Sequence, residues 1–130
     1  MNLLDNQLLD AKSFAFKDII GQDKWESFTV SPSITAVGTP TYVGRYHVAG
    51  KVCHFQITAV STTSVATTAG TSYFALPIAA KGIAGVATMS NDTTNVAVGV
   101  GHIDVANSRV YPPSQVASGN TFTVAGWYEV

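Results

Sequence analysis

This 130-residue sequence predicts an all-β, antiparallel fold with one buried sheet face, and three observations carry that prediction. Short runs rich in β-branched and aromatic residues recur along the chain, separated by clusters of Gly, Pro, Asn and Ser. Thr, Ser, Ala, Val and Gly dominate the second half, which suits short strands joined by polar turns. Residues 41–58 form two such runs around Gly50-Lys51, and glycine first in a two-residue loop is the chemistry of a type II′ hairpin. Roughly eight to ten strands of this kind make an antiparallel β-sandwich, jelly-roll-like in topology, with a helical or extended arm at the N-terminus.

The hairpin turn fixes its own register. With Ala49 facing Val52, Val48 meets Cys53, Tyr46 meets Phe55 and Gly44 meets Ile57, an apolar set on one face. His47 meets His54 and Arg45 meets Gln56 on the other. A slip of one residue would mix the two sets. Tyr46, Val48, Cys53, Phe55 and Ile57 are therefore core candidates, and Arg45, His47 and His54 are candidates for an axial or surface contact.

Residues 1–24 differ in kind from residues 25–130, which are the domain itself. The first 26 positions hold eight of the fifteen charged side chains. Asn2 is placed to cap a helix in which Leu4, Leu8, Ala11 and Ala15 recur near helical spacing. A helix of about a dozen residues is marginal alone, so Leu3, Leu4, Leu8, Leu9, Phe14, Phe16, Ile19 and Ile20 need a surface to pack on. That surface belongs either to the same subunit or to a neighbour.

Trp25 to Val30 alternates large apolar with polar residues and reads as the first strand. Pro32 ends it, because proline cannot continue a ladder. Ile34 to Val37 is a short edge strand or loop. Ser61 to Gly70 reads as an exposed polar loop. Ser72 to Pro77 is a strand stopped by Pro77. Gly82 to Met89 and Asn95 to Gly101 form a second hairpin about Ser90-Asn91-Asp92-Thr93. His102 to Val105 and Ser108 to Tyr111 flank a loose turn at Ala106-Asn107. Thr121 to Val130 is a terminal strand with Phe122 and Val124 on one face, and Gly126 marks a bulge or a close backbone approach.

Composition bounds the function. Apolar residues make up 46% of the chain and charged residues only 12%, and a surface so poor in charge favours association. The net charge of −1, without any basic run, implies neither nucleic acid nor an anionic membrane as partner. No apolar run is long enough to span a bilayer, and the N-terminus lacks the basic-then-apolar order of a secretion signal. Synthesis and folding in a cytoplasm are expected. Cys53, the one cysteine, lies on the core face, where a thiol behaves as a small hydrophobe.

Few groups here suit catalysis, and no enzyme is expected. Beyond residue 26 the carboxylates are Asp92, a turn former, Asp104, and Glu129, which is expected to be solvated, so the placed carboxylate pair of a glycosidase is not indicated. Gly99-Val100-Gly101 lacks the remaining spacing of a dinucleotide loop. His47 with His54, and His102 with Asp104, are metal-ligating types, but polar residues on a solvated sheet face account for them more simply, and neither metal nor cofactor is expected. Trp25, Tyr111, Trp127 and Tyr128 are of the type that stacks on sugar rings, although such residues are more often core or interface.

Gly44-Arg45-Tyr46 followed by Ala49-Gly50-Lys51-Val52 resembles a pattern in bacteriophage virion β-sandwich modules. In those modules a G-R-Y segment precedes an apolar-Gly-Lys turn and a strand, and a later apolar strand closes on Leu-Pro. Phe74-Ala75-Leu76-Pro77 stands in that last position, and the aromatic ending Val124 to Val130 is also similar. The resemblance covers about residues 25–130 and implies a virion protein, either a trimeric capsid decoration or cement protein or the tip of a tail fibre or spike. The start at Met1 without a coiled-coil shaft, together with the leucine-bearing arm, favours the decoration protein. Its expected partners are two further copies of itself and the major capsid protein, at the capsid surface.

Overall fold

The computed structural model describes residues 24–37, 39–60, 64–82, 85–118 and 120–130. Strand β12 (Thr121–Glu129) is the central rail. It pairs along its whole length with β5 (Val52–Val60), and along most of it with β8 (Gly85–Asn91), both antiparallel. Its alternation explains the placement, because Phe122, Val124 and Tyr128 are all fully buried on one face. Gly126 occupies the same face between Phe55 and Ala87, where a Cβ would overlap the Val86 carbonyl oxygen. Of the two expectations for Gly126, the close backbone approach is realised, and the ladder runs through it unbroken.

Outward from β5 come β4 (Thr41–Ala49) and the short edge strand β1 (Glu26–Phe28). Outward from β8 come β9 (Val96–Asp104), β10 (Arg109–Tyr111), β7 (Tyr73–Ala75) and β2 (Pro32–Ser33). These nine strands make one antiparallel sheet that curls into a half-barrel. A separate three-stranded sheet contains β3 (Thr35–Val37), β6 (Ser64–Thr67) and β11 (Gln115–Ser118) in the order β11-β6-β3. No helix occurs among the described residues. Residues 1–23, including all eight apolar positions of the expected arm, lie outside them.

The β4–β5 register is the predicted one at every pair from Gly44↔Ile57 to Ala49↔Val52. Gly50 has φ 62 and Lys51 is not among the positive-φ residues, the pattern of a II′ rather than a I′ turn. Cys53, Phe55 and Ile57 are buried in the core with Phe74, Met89 and Val110, while Tyr46 and Val48 pack on it partly buried.

Four local expectations change. The expected polar loop contains β6, whose Val65 and Thr67 are buried at 0% and 3% exposure; two alternating positions suffice to seat a short strand. Pro32 does pair, but at the outer edge of the sheet, where its missing N–H faces no further partner. The second hairpin turns two residues later than expected. Ser90 and Asn91 stay in β8, and Asn91 Oδ1 accepts the backbone N–H groups of Thr93 and Thr94. The two strands expected on either side of Gly101 are the single strand β9, in which Val98 is the extra residue of a β-bulge opposite Met89/Ser90.

Tyr128 links β12 to the chain after β7. Its hydroxyl donates to the Ile78 carbonyl at 2.7 Å and accepts the Ile78 N–H at 3.1 Å. Burial, foremost, pushes the Tyr128 hydroxyl far above the ordinary tyrosine value, and burial likewise raises the Cys53 thiol, its cross-strand neighbour. Both groups are neutral in the fold and lose their protons more readily in the unfolded chain. Stability is therefore intact at neutral pH and declines as pH rises through the ordinary cysteine and tyrosine range. Tyr128→Phe is expected to cost about 1–3 kcal/mol by orphaning the Ile78 groups, and to flatten the alkaline decline. Urea midpoints measured from neutral to alkaline pH check both effects. Gly126→Ala is expected to cost roughly 1–3 kcal/mol through overpacking against β8, read as a lowered thermal midpoint.

Candidate functional site

The inner sheet face is occupied by the core, so recognition falls to the outer face. Alternation along β4, β5, β12 and β8 places one row there: His47, His54, Trp127 and Val86, each opposite the next. A second row runs Ser27, Arg45, Gln56, Ala125, Thr88 and Val100 across β1, β4, β5, β12, β8 and β9.

His47 and His54 are stacked, with ring centroids 4.7 Å apart and planes 13° apart. Trp25, just before β1, sets its ring edge-on to His47 at 4.5 Å. Arg45 reaches over the Trp25 ring at 5.0 Å and donates from Nε to Gln56 Oε1 at 2.6 Å. The His47 Nδ1 is buried in this cluster without a hydrogen-bond partner among the described residues. The sequence thus places Arg45, His47 and His54 together as expected, and the fold adds the indole that locks them.

Trp25 and Trp127 wall a groove of about 490 Å³ whose polar groups come from His54, Gln56 and Thr88. The small residues Ala125 and Gly126 line it too, and Val86 closes one side. The face is apolar beyond the groove as well: Val43 is 60% and Val100 72% exposed. Val86 faces outward, opposite in sense to buried Ala87 and Met89, a placement that strand alternation could have supplied. The meeting of Trp25, His54 and Trp127 was not visible, because it depends on β12 choosing β5 as partner.

Below the groove the face is polar. The Thr58 and Thr123 hydroxyls are 3.0 Å apart, Thr123 donates to Asp92, and Ser90 donates to the other Asp92 oxygen at 2.8 Å. Asp92 is thus more than a turn former, since it ties the β8–β9 turn to β12. Glu129 departs from its expected solvation, as its side chain lies where a Cβ on Gly82 would be. Tyr128, one of the four candidate stacking rings, is wholly internal.

His102 and Asp104 share the outer face of β9, on the far side of β12 and β8 from the histidine stack. The two histidine sets do not converge, and among the described residues no three His, Cys, Asp or Glu side chains group to hold a metal ion. The Asp104 carboxyl is held below the ordinary aspartate value, first by the Asn107 side-chain amide and further by the Asn107 and Ala106 backbone and by His102.

Comparison with family models, with characterised proteins and with solved structures finds no match to this chain. The likeness to phage virion modules therefore rests on the quoted residues alone.

Two outcomes follow from this geometry. A double-mutant cycle between His47→Ala and His54→Ala is expected to give a coupling on the order of 0.5–1.5 kcal/mol, measured by chemical unfolding. For Asp104 the folded-state pKa lies below the unfolded one, so its stabilising contribution is present above the ordinary aspartate value and is lost as pH falls through the folded one. Asn107→Ala should move the Asp104 pKa upward, read from the carboxyl resonance in an NMR titration.

Proposed function

We propose that this chain is a structural virion protein of a bacteriophage: a homotrimeric capsid decoration subunit that binds and stabilises the head shell. The observation that carries the reading is the outer sheet face, where exposed Val43, Val86, Val100 and Trp25 surround few charges. A surface of that kind gains by being covered with another protein surface. The resemblance in the hairpin and terminal strand supplies the virion setting, and the leucine- and phenylalanine-bearing residues 1–24 supply a grip on the major capsid protein. In this reading the curled sheet and the three-stranded sheet are the two layers of a jelly-roll-like sandwich. The action is by mass action: a subunit that binds only the assembled shell stabilises it in proportion to its occupancy.

Deleting residues 1–24 is expected to abolish capsid association while leaving a folded trimer, checked by co-sedimentation with capsids and by analytical ultracentrifugation. Normal incorporation of the deletion would sink the arm, and a particle of monomer mass, 13.6 kDa, would sink the trimer. Val86→Lys with Val100→Lys should leave stability within about 0.5 kcal/mol, as exposed positions do, and lower capsid occupancy if the outer face is the docking surface.

The Trp25–Trp127 groove favours a second reading, the tip of a tail fibre or spike that binds a host receptor or glycan. Under it the isolated protein adheres to host cells and blocks infection. Absence of both effects removes that reading.

A further inference from the structure

A second open cavity, about 420 Å³, lies over β9 and β10 and is lined by Val100, His102, Asp104, Tyr111, Pro112 and the Ala69-Gly70 turn. It is separate from the Trp25–Trp127 groove, and its chemistry is different. Tyr111 and His102 face each other across the β9–β10 ladder, with ring centroids 6.5 Å apart and planes inclined by 31°, which makes a shelf. Tyr73 backs the shelf, edge-on to Tyr111 at 5.8 Å.

Asp104 supplies the hydrogen-bonding side. One carboxylate oxygen accepts the Asn107 N–H at 3.2 Å and the other accepts the Asn107 Nδ2–H at 2.8 Å, so each keeps a lone pair for a further donor. Its cross-strand partner is Arg109, yet that guanidinium lies over the Tyr73 ring at 4.1 Å and forms no ion pair with Asp104. His102 is exposed, and its ring nitrogens hold no hydrogen bond among the described residues.

The walls are fixed before any ligand arrives. The Ala69 N–H donates to Ser114 Oγ at 2.8 Å, Thr67 Oγ1 donates to the Pro113 carbonyl at 2.7 Å, and Ser72 closes the turn through bonds to Thr68. A preformed cavity spares a small ligand the cost of ordering it.

The lining selects among ligand classes. An anion would meet the Asp104 carboxylate. A cation drawn to Asp104 would be opposed by the like charge of Arg109, the cross-strand neighbour of Asp104, which lies outside the lining over the Tyr73 ring. A wholly apolar ligand would cover Asp104 and His102 without pairing them, which is unfavourable. A neutral ring with apolar C–H faces and a rim of hydroxyls fits both parts: its face lies on the ring shelf and its hydroxyls donate to Asp104 and exchange hydrogen bonds with His102. We propose that this cavity is a binding site for a neutral saccharide ring. The site shares Val100 with the docking face and no residue with the tryptophan groove, and its failure removes neither reading above, because each also rests on residues outside this cavity.

The test is an NMR titration of the full-length protein with methyl α-D-glucopyranoside, methyl β-D-galactopyranoside and N-acetylglucosamine, following the His102 and Tyr111 ring protons. Saturable shifts at those rings with at least one probe, at affinity on the order of millimolar, are expected for so small and open a site. His102→Ala, which leaves the Asp104–Asn107 turn intact, and Asp104→Asn should each weaken binding roughly tenfold or more, while Trp127→Ala should not. Shifts confined to Trp25 and Trp127, binding unchanged in both the His102 and Asp104 variants, or no saturable shift with any probe would each overturn the proposal.

Discussion

The antiparallel contact between β12 and its two neighbours, β5 and β8, is the constraint on which the rest of this domain depends. It holds the β4–β5 hairpin on one side and the β8–β9–β10 meander on the other. One position makes it possible: at Gly126 the β8 backbone approaches so closely that no side chain fits. The same strand delivers Phe122, Val124 and Tyr128 to the core and Thr123, Ala125 and Trp127 to the outer face. Because the period of a strand is two, fixing Gly126 between Phe55 and Ala87 fixes both sets at once. The core and the groove are therefore two consequences of a single register.

How much of this could be read from the sequence follows from the range of the interactions. The β4–β5 hairpin was readable to the residue, because a two-residue turn and alternating polarity specify register locally. The stacked histidines came with it. Short-range signals failed where an element is held by distant partners. Val65 and Thr67 sit in a stretch whose composition is that of a loop, and only pairing with β11 and β3 makes a strand of it. The strand β9 runs unbroken through Gly99 and Gly101 where two strands are expected, because pairing with β8 on one side and β10 on the other carries it through, with a bulge at Val98. The groove was out of reach for a similar reason: Trp25 and Trp127 are about a hundred residues apart, and no local pattern states that both flank His54.

The charge-poor sheet offers little at its edges and much on its outer face. Its edges are short: β1 has three residues and β2 has two, one of them proline, so neither offers a long template for pairing with another chain. Across β4, β5, β12 and β8 most polar side chains are also engaged within the face. Arg45 is engaged by Trp25 and Gln56, and Thr58, Thr123, Ser90 and Asp92 bond to one another. What the face offers outward is shape and apolar area rather than free charge. Such a surface suits a lasting contact with a matching surface better than salt-sensitive capture of a charged partner.

Identical residue types end in different roles because of what stands beside them. His47 has an imidazole stacked on one side and an indole edge on another, and its Nδ1 is buried, so it works as a flat packing unit. His102 is exposed, and its one ring contact among the described residues is with Tyr111. Asp92 turns its carboxylate onto hydroxyls of its own sheet, whereas Asp104 is steadied by Asn107 and retains acceptor capacity. The same holds for the arginines: one clamps Trp25 and the other leaves its cross-strand acid for a tyrosine face. Over β9 and β10, Asp104 and His102 keep hydrogen-bonding capacity on the same strand face as the Tyr111 ring, and a ligand that uses all three gains most there.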